Sequence, residues 1–300
     1  MRKNKLFIGY ILVIASAVLY GSMPLLSRLI YLEGVNPFSL VFLRNIISLP
    51  MLAMAAIMSG KSLKITPRAL PSIGGIAVFG YCFTPLLLYV AYTDIDTGVA
   101  TVFHFVYPAI VMVLSLIFLK SKFKFVNLAS LLICLSGICI IFIFHSSDAN
   151  ISILGSSTAL VSGLTYAIFI VGLSGFKYKE ISGFVFNFYG ASFCAVISLI
   201  ICLCCGNLML PVSLKGWLLC LLFALICNVG AAVLFQSGTR IIGGERASIL
   251  SAFEPITGVI AGILFLSEEG GWSTAIGTAL VVTSCILIAV FDAKSKKQNG

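Results

Sequence analysis

The chain has 300 residues, 60% of them hydrophobic and 10% charged, with a mean hydropathy of +1.14. A water-soluble globule needs far more charge to cover its surface, so the composition excludes one and makes lipid the solvent. A net charge of +9 would point to nucleic acid in a soluble protein, but its placement between apolar runs assigns it to membrane orientation, and no nucleic-acid partner is expected.

Apolar runs of about 20 residues, the length that crosses the hydrocarbon core of a bilayer, follow one another along the chain. They predict spans at 6 to 30, 37 to 58, 69 to 92, 97 to 119, 125 to 144, 153 to 175, 181 to 205, 213 to 236, 246 to 266 and 272 to 291. The first run follows a basic start and passes Ala15-Ser16-Ala17, which imitates a signal-peptide cleavage site. It continues to Ile30, too long for a signal peptide, and is read as a retained span. With the N-terminus inside, Arg2, Lys3, Lys5, Lys61, Lys64, Arg68, Lys120, Lys122, Lys124, Lys177, Lys179, Arg240, Arg246, Lys294, Lys296 and Lys297 all fall at cytoplasmic ends. Arg28, Arg44 and Lys215 do not, while Glu33, Asp94, Asp96, Asp148, Glu268 and Glu269 fall outside. The expectation is a multi-pass protein of the cell (plasma) membrane with both termini cytoplasmic. All ten cysteines lie in predicted spans as small packing residues, and the C-x-x-C of Cys202 and Cys205 lacks a thioredoxin-like context.

The second half repeats the first. A shift of 147 residues lays the fourth span on the ninth, with Ala100 on Ala247, Thr101 on Ser248, Pro108 on Pro255 and Ser115 on Gly262. It also carries Tyr81 onto Asn228, while a shift of 146 carries Ser16 onto Ser162 and Tyr20 onto Tyr166, and 148 carries Ser136 onto Ser284. The domains expected are 1–147 and 148–300, each a repeat of five spans. Because five is odd, the second repeat enters the membrane from the opposite side. The fold class expected is therefore an all-α membrane protein of ten transmembrane helices in two inverted five-helix repeats. Secondary transporters use such pairs, with substrate near the midplane.

The helix-nine run Ser251-Ala-Phe-Glu254-Pro255 with Gly258, Gly262 and Leu264-Phe-Leu-Ser-Glu268, the Phe42-Leu43-Arg44 of the second span and the Tyr107-Pro108 of the fourth resemble the EamA-type members of the drug/metabolite transporter superfamily. The resemblance covers nearly the whole chain and implies export of amino acids, sugars, drugs or other metabolites. Relatives often carry glutamate before the proline in both repeats; here Tyr107 takes that place in the first.

Ionisable groups inside a span cost about 2.5–3.5 kcal/mol each on insertion scales, so each needs a reason. Arg44, His104 and Glu254 are the three. Glu254 is read as a proton carrier or amine ligand, or else as a structural cap. Pro255 removes a helical N–H, which would orphan the carbonyl of Ser251 and kink the span, as Pro108 would in the fourth. Arg44 is read as a carboxylate ligand or a structural anchor. Thr101, His104, Pro108, Val111 and Ser115 share one helix face, and their counterparts in the ninth span include Ser251, Gly258 and Gly262, the glycines in G-x-x-x-G spacing for close packing. Candidate cavity residues are Ser16, Tyr20, Tyr81, His104, Tyr107, Tyr166, Asn228 and Ser251, each competing with a role in helix packing.

No nucleophile–base pair, metal-ligand set or phosphate loop is visible, so neither an enzyme nor a cofactor or bound metal is expected. A channel would show charge rings or filter loops, and a membrane sensor or partner protein leaves no signature of its own. The reading that remains is a secondary transporter of small polar metabolites, with an amino acid as a leading candidate, alternating access around a central cavity, protons as the coupling ion, and the bilayer as its other partner.

Overall fold

The structure, a computed structural model, describes residues 2–95, 97–121, 123–143, 152–178, 180–204, 208–257, 260 and 272–297. Gly258, Gly262, Glu268, Asp148 and Cys205 lie outside them. The described residues are helical, with no strand among them. In chain order the helices are α1 (Arg2–Tyr20), α2 (Met23–Leu32), α3 (Pro37–Met58), α4 (Leu70–Ala77), α5 (Thr84–Asp94), α6 (Thr97–His104), α7 (Tyr107–Phe118) and α8 (Phe125–Ile143). They continue with α9 (Ile153–Gly175), α10 (Gly183–Cys204), α11 (Leu214–Phe223), α12 (Ala232–Ile242), α13 (Gly244–Leu250), a helical turn at 253–257, and α14 (Trp272–Lys297).

Six stretches among the described residues are long and apolar enough to cross a membrane: Lys5–Leu32, Pro37–Met58, Pro67–Asp94, Ile153–Gly175, Gly183–Cys204 and Leu214–Ile242. Large apolar side chains such as Ile117, Phe118, Leu203 and Leu218 stand on the outer surface. Water would penalise such a surface and lipid does not, and the chain is a multi-pass membrane protein.

Several helices start where their caps dictate. Asn36 accepts from the amide of Ser39 ahead of Pro37, and Ser152 and Ser213 accept from the amides of Gly155 and Gly216. Elsewhere the ladder is interrupted. Val78–Phe83 and Ala224–Ala231 are wide π-helical turns joining α4 to α5 and α11 to α12. In the first, Pro85 has no N–H for the carbonyl of Tyr81, and Asn45 Nδ2 donates to that carbonyl at 3.2 Å instead. No proline lies in the second, where the Ser16 hydroxyl donates to the carbonyl of Ala231 at 2.8 Å.

Breaks also divide α1 from α2 at Gly21-Ser22, α6 from α7 at Phe105-Val106, and α13 from the next turn at Ser251-Ala252. The last two are the kinks expected from Pro108 and Pro255. The carbonyl of Ser251 is not orphaned as expected, however: the chain tightens and the Glu254 amide donates to it at 2.9 Å.

Helices early in the chain pack on helices late in it: α8 on α14, α3 on α10, α1 on α12, and α5 on α9. Two glycines let the breaks come together. A Cβ at Gly21 would lie 2.5 Å from Thr257 and 2.7 Å from the carbonyl of Glu254, and one at Gly163 would lie 2.7 Å from the carbonyl of His104.

Candidate functional site

These interruptions converge on one cavity, lined by Tyr20, Met23, Arg44, Gly80, Thr84, Pro85, Leu88, His104, Tyr166 and Glu254. Much of its wall is helix ends and widened turns: Tyr20 and Met23 flank the α1–α2 break, Gly80 lies in a π-helical turn, His104 ends α6, and Glu254 lies in the turn after α13. Arg44 enters from the interior of α3 and Tyr166 from the interior of α9.

Arg44 is buried, and every bond it makes comes from a different part of the chain. Its Nε donates to Asn228 Oδ1 at 2.7 Å and its Nη1 to the Tyr89 hydroxyl at 2.7 Å, while Asn228 Nδ2 donates back to the Arg44 carbonyl at 2.9 Å. The guanidinium also lies 5.8 Å from the centre of the Phe223 ring. Among the described residues it has no carboxylate partner. Glu254 faces the same cavity, and among the described residues nothing donates a hydrogen bond or an ion pair to its carboxylate. A fixed cation and a carboxyl group therefore share one small volume without meeting among the described residues.

His104 is buried, with Nδ1 2.8 Å from the Ser162 hydroxyl. Ser162 donates its single proton to the carbonyl of Ala159 at 2.6 Å. The histidine must then carry its proton on Nδ1, which leaves Nε2 as an acceptor. Its ring packs at a tilt against Tyr107 and Tyr166 at 5.2 and 5.5 Å, and Tyr166 stacks on Phe169 and Phe235, each at 5.9 Å. These rings form an aromatic layer beside the cavity.

Of the residues singled out in the sequence, Tyr20, Arg44, His104, Tyr166 and Glu254 line the cavity. Asn228 stands behind it, holding Arg44. Tyr107 is buried in the aromatic layer, and Pro108 and Pro255 are buried at the breaks. Ser16 fastens α1 to the second π-helical turn, and Ser251 donates to the carbonyl of Ala247 at 2.9 Å. Tyr81 faces another network, donating to Asn187 Oδ1 and accepting from Gln236 Nε2. Sequence reading overlooked Tyr89, Thr84, Asn45, Asn187 and Gln236. The amides could have been found by the rule that drew attention to Arg44, since a polar group inside a predicted span needs a partner.

Fold and cavity together define an all-helical multi-pass membrane protein with a charged, partly polar chamber among its helices. The sequence model of the EamA-like transporter family matches residues 7–143 and again 153–290, and the chain belongs to that family. Similar proteins include an uncharacterized transporter of Clostridium kluyveri, 22% identical over 93% of this chain and 92% of its own. Another, from Archaeoglobus fulgidus, is 25% identical over 93% of this chain and 95% of its own. The uncharacterized transporter YcbK of Bacillus subtilis is 23% identical over 90% and 88%. One solved crystal structure superposes with a TM-score of 0.75 over 97% of this chain and 99% of that one, at 17% identity, a likeness of fold alone.

Proposed function

We infer that this protein is a secondary transporter that carries a small zwitterionic metabolite, an amino acid or close relative, outward across the cell membrane by alternating access. In this reading ten spans form two inverted repeats, 1–147 and 148–300, with both termini cytoplasmic. One observation carries the substrate class: Arg44 and Glu254 line one cavity and do not neutralise each other. Each charge in a low-dielectric interior is costly alone. A zwitterion offsets both, its carboxylate on the Arg44 fork and its ammonium on Glu254. Neutral acceptors and rings beside them, His104 Nε2 and Tyr166, suit an uncharged side chain.

Support for the inverted repeat comes from the doubled family match and from the matched interruptions. Tyr107-Pro108 and Glu254-Pro255 follow breaks at equivalent places, and Tyr81 and Asn228 sit in the two π-helical turns. Broken and widened helices around a central site are the places where repeats can rock without rebuilding a whole ladder.

The test is counterflow in liposomes containing purified protein, with a panel of amino acids, their carboxamides and their decarboxylated amines. Saturable counterflow is expected for zwitterions and for neither derivative. Glu254→Gln removes any proton dependence along with most of the flux. Equal transport of acid and amide, or an unchanged pH profile in Glu254→Gln, refutes the assignment.

A further inference from the structure

A second cluster of unmet polar demand lies away from the cavity, at the end of the bundle opposite Glu33. Four of the buried side-chain atoms that find no hydrogen-bond partner among the described residues belong to one helix: Gln236 Oε1, Thr239 Oγ1, and Arg240 Nε and Nη2. Spaced i, i+3 and i+4, the three residues share one face of α12. Gln236 and Thr239 are buried, at 0% and 1% exposure. Burying polar atoms without partners is unfavourable, and a cluster of them at one place asks for a ligand.

Three of these atoms, on Thr239 and Arg240, can donate, and they identify that ligand's chemistry; Gln236 Oε1 only accepts and takes no part. The Arg240 guanidinium is flanked by the rings of Phe176 and Phe186, 5.3 and 5.5 Å from their centres, and its Nη1 donates to the carbonyl of Ile181. These contacts fix the plane and occupy one nitrogen. Nε and Nη2 share the opposite edge, where their N–H bonds run parallel and match the two oxygens of a carboxylate. The Thr239 hydroxyl adds a third donor.

The cluster also connects to the cavity. Gln236 Nε2 donates to the Tyr81 hydroxyl, the Tyr81 ring packs on Phe169 at 5.5 Å, and Phe169 stacks on the cavity residue Tyr166. Gly80, next to Tyr81, lines the cavity itself. This aromatic layer connects the two sites.

We propose that Arg240, with Thr239, forms a second, carboxylate-binding subsite on the α12 face, linked to the central cavity through Gln236, Tyr81 and the aromatic layer. It takes a planar monocarboxylate; Glu180, whose charge acts on Arg240, is exposed and offers nothing to an ammonium group at the free edge. Its use as a waypoint for the solute rests on the transport reading above; the binding does not.

Binding of propionate to the purified full-length protein tests it directly, read as thermal stabilisation and compared with propionamide and chloride at equal concentration. Propionate alone is expected to stabilise the wild type. Its apparent affinity is expected to fall about tenfold in Arg240→Lys, which keeps the charge and loses the fork, and to fall measurably in the isosteric Thr239→Val. It should persist in Arg44→Gln, which separates this site from the central one whether or not the protein transports zwitterions. Loss of the propionate effect in Arg44→Gln with retention in Arg240→Lys would overturn the proposal, as would equal stabilisation by propionamide. The other available carboxylate is the exposed Glu180, beside Ile181. If Glu180→Gln and Arg240→Lys destabilise equally and the double variant is no worse than either, the free edge belongs to Glu180 and the subsite does not exist.

Discussion

The two broken helices around the cavity have the same backbone device and different chemistry. In the stretch from α6 to α7 the turn at Phe105-Val106 is followed by Tyr107-Pro108; in the stretch after α13 the turn at Ser251-Ala252 is followed by Phe253 and Glu254-Pro255. The same contrast recurs in α3 and α10. Arg44 reaches into the cavity from α3, while its counterpart Gly190 is packed so tightly that a Cβ there would lie 2.9 Å from Ala77 and from the Tyr81 ring. In the inverted-repeat reading each half repeats the scaffold and supplies one ionisable group, the cation from the first and the acid from the second. In the transport reading, duplication built the moving parts and divergence built the selectivity.

The largest effect is expected from removing the cation. Arg44→Gln leaves Tyr89 and Asn228 without their charged donor and a substrate carboxylate without its counter-charge, so flux should fall on the order of 100-fold. Arg44→Lys should recover only part of it, because an ammonium cannot serve Asn228, Tyr89 and a ligand from one plane. Counterflow in liposomes measures both. Near-normal flux in Arg44→Gln would mean that the charge asymmetry between the halves is a packing matter.

A smaller effect is expected from making the two proline turns alike. Tyr107→Glu places an acid before both prolines and gives the site an excess of negative charge. Competition assays should show preference moving about tenfold from zwitterions toward their decarboxylated amines. Tyr107→Phe keeps the ring that packs on His104 and Tyr166 and should leave selectivity unchanged. If both variants behave alike, position 107 contributes only ring packing.

How much of this was legible in the sequence depends on what marks each feature. Spans read at 37 to 58 and 153 to 175 coincide with α3 and α9, because Asn36-Pro37 and Ser152 are cap residues that name their helix starts. The span read at 213 to 236 was too short. The polar residues Gln236, Thr239 and Arg240 close that apolar run, yet α12 runs to Ile242 and buries Gln236 and Thr239. The break after Tyr20 escaped notice, since a glycine within an apolar run carries no local signal and Gly21 matters only through its contact with the Glu254 carbonyl. The charged candidates Arg44, His104 and Glu254 all reach the cavity, because burial of charge needs a reason that a single sequence can reveal. Which hydroxyls face it and which only fasten helices was not readable: Ser16 and Tyr20 share a predicted face, and one turn of helix separates packing from lining.

The smallest effect is expected at the end of the bundle where two carboxylates grip the N-cap serines of later helices. Glu33 accepts from the Ser213 hydroxyl at 2.5 Å and pairs with Lys215 at 3.0 Å, and Asp94 accepts from the Ser152 hydroxyl. Both link the first half to the second, but among the described residues only Glu33 has a lysine. Its hydrogen bond from Ser213, and then Lys215, hold its carboxyl below the ordinary glutamate range. A carboxylate with a lowered folded-state pKa adds stability that is fully present above the unfolded value, about 4.3, and is lost as pH falls through the folded one. Glu33→Gln should therefore lower the melting temperature slightly at pH 7, with the difference from wild type vanishing in acid below the folded pKa. Lys215 is 72% exposed, so its ion pair is screened and Lys215→Gln should cost less than Glu33→Gln. The reverse order, or a gap that closes with added salt, would make the exposed ion pair, and not the serine contact, the tie between the halves at this end.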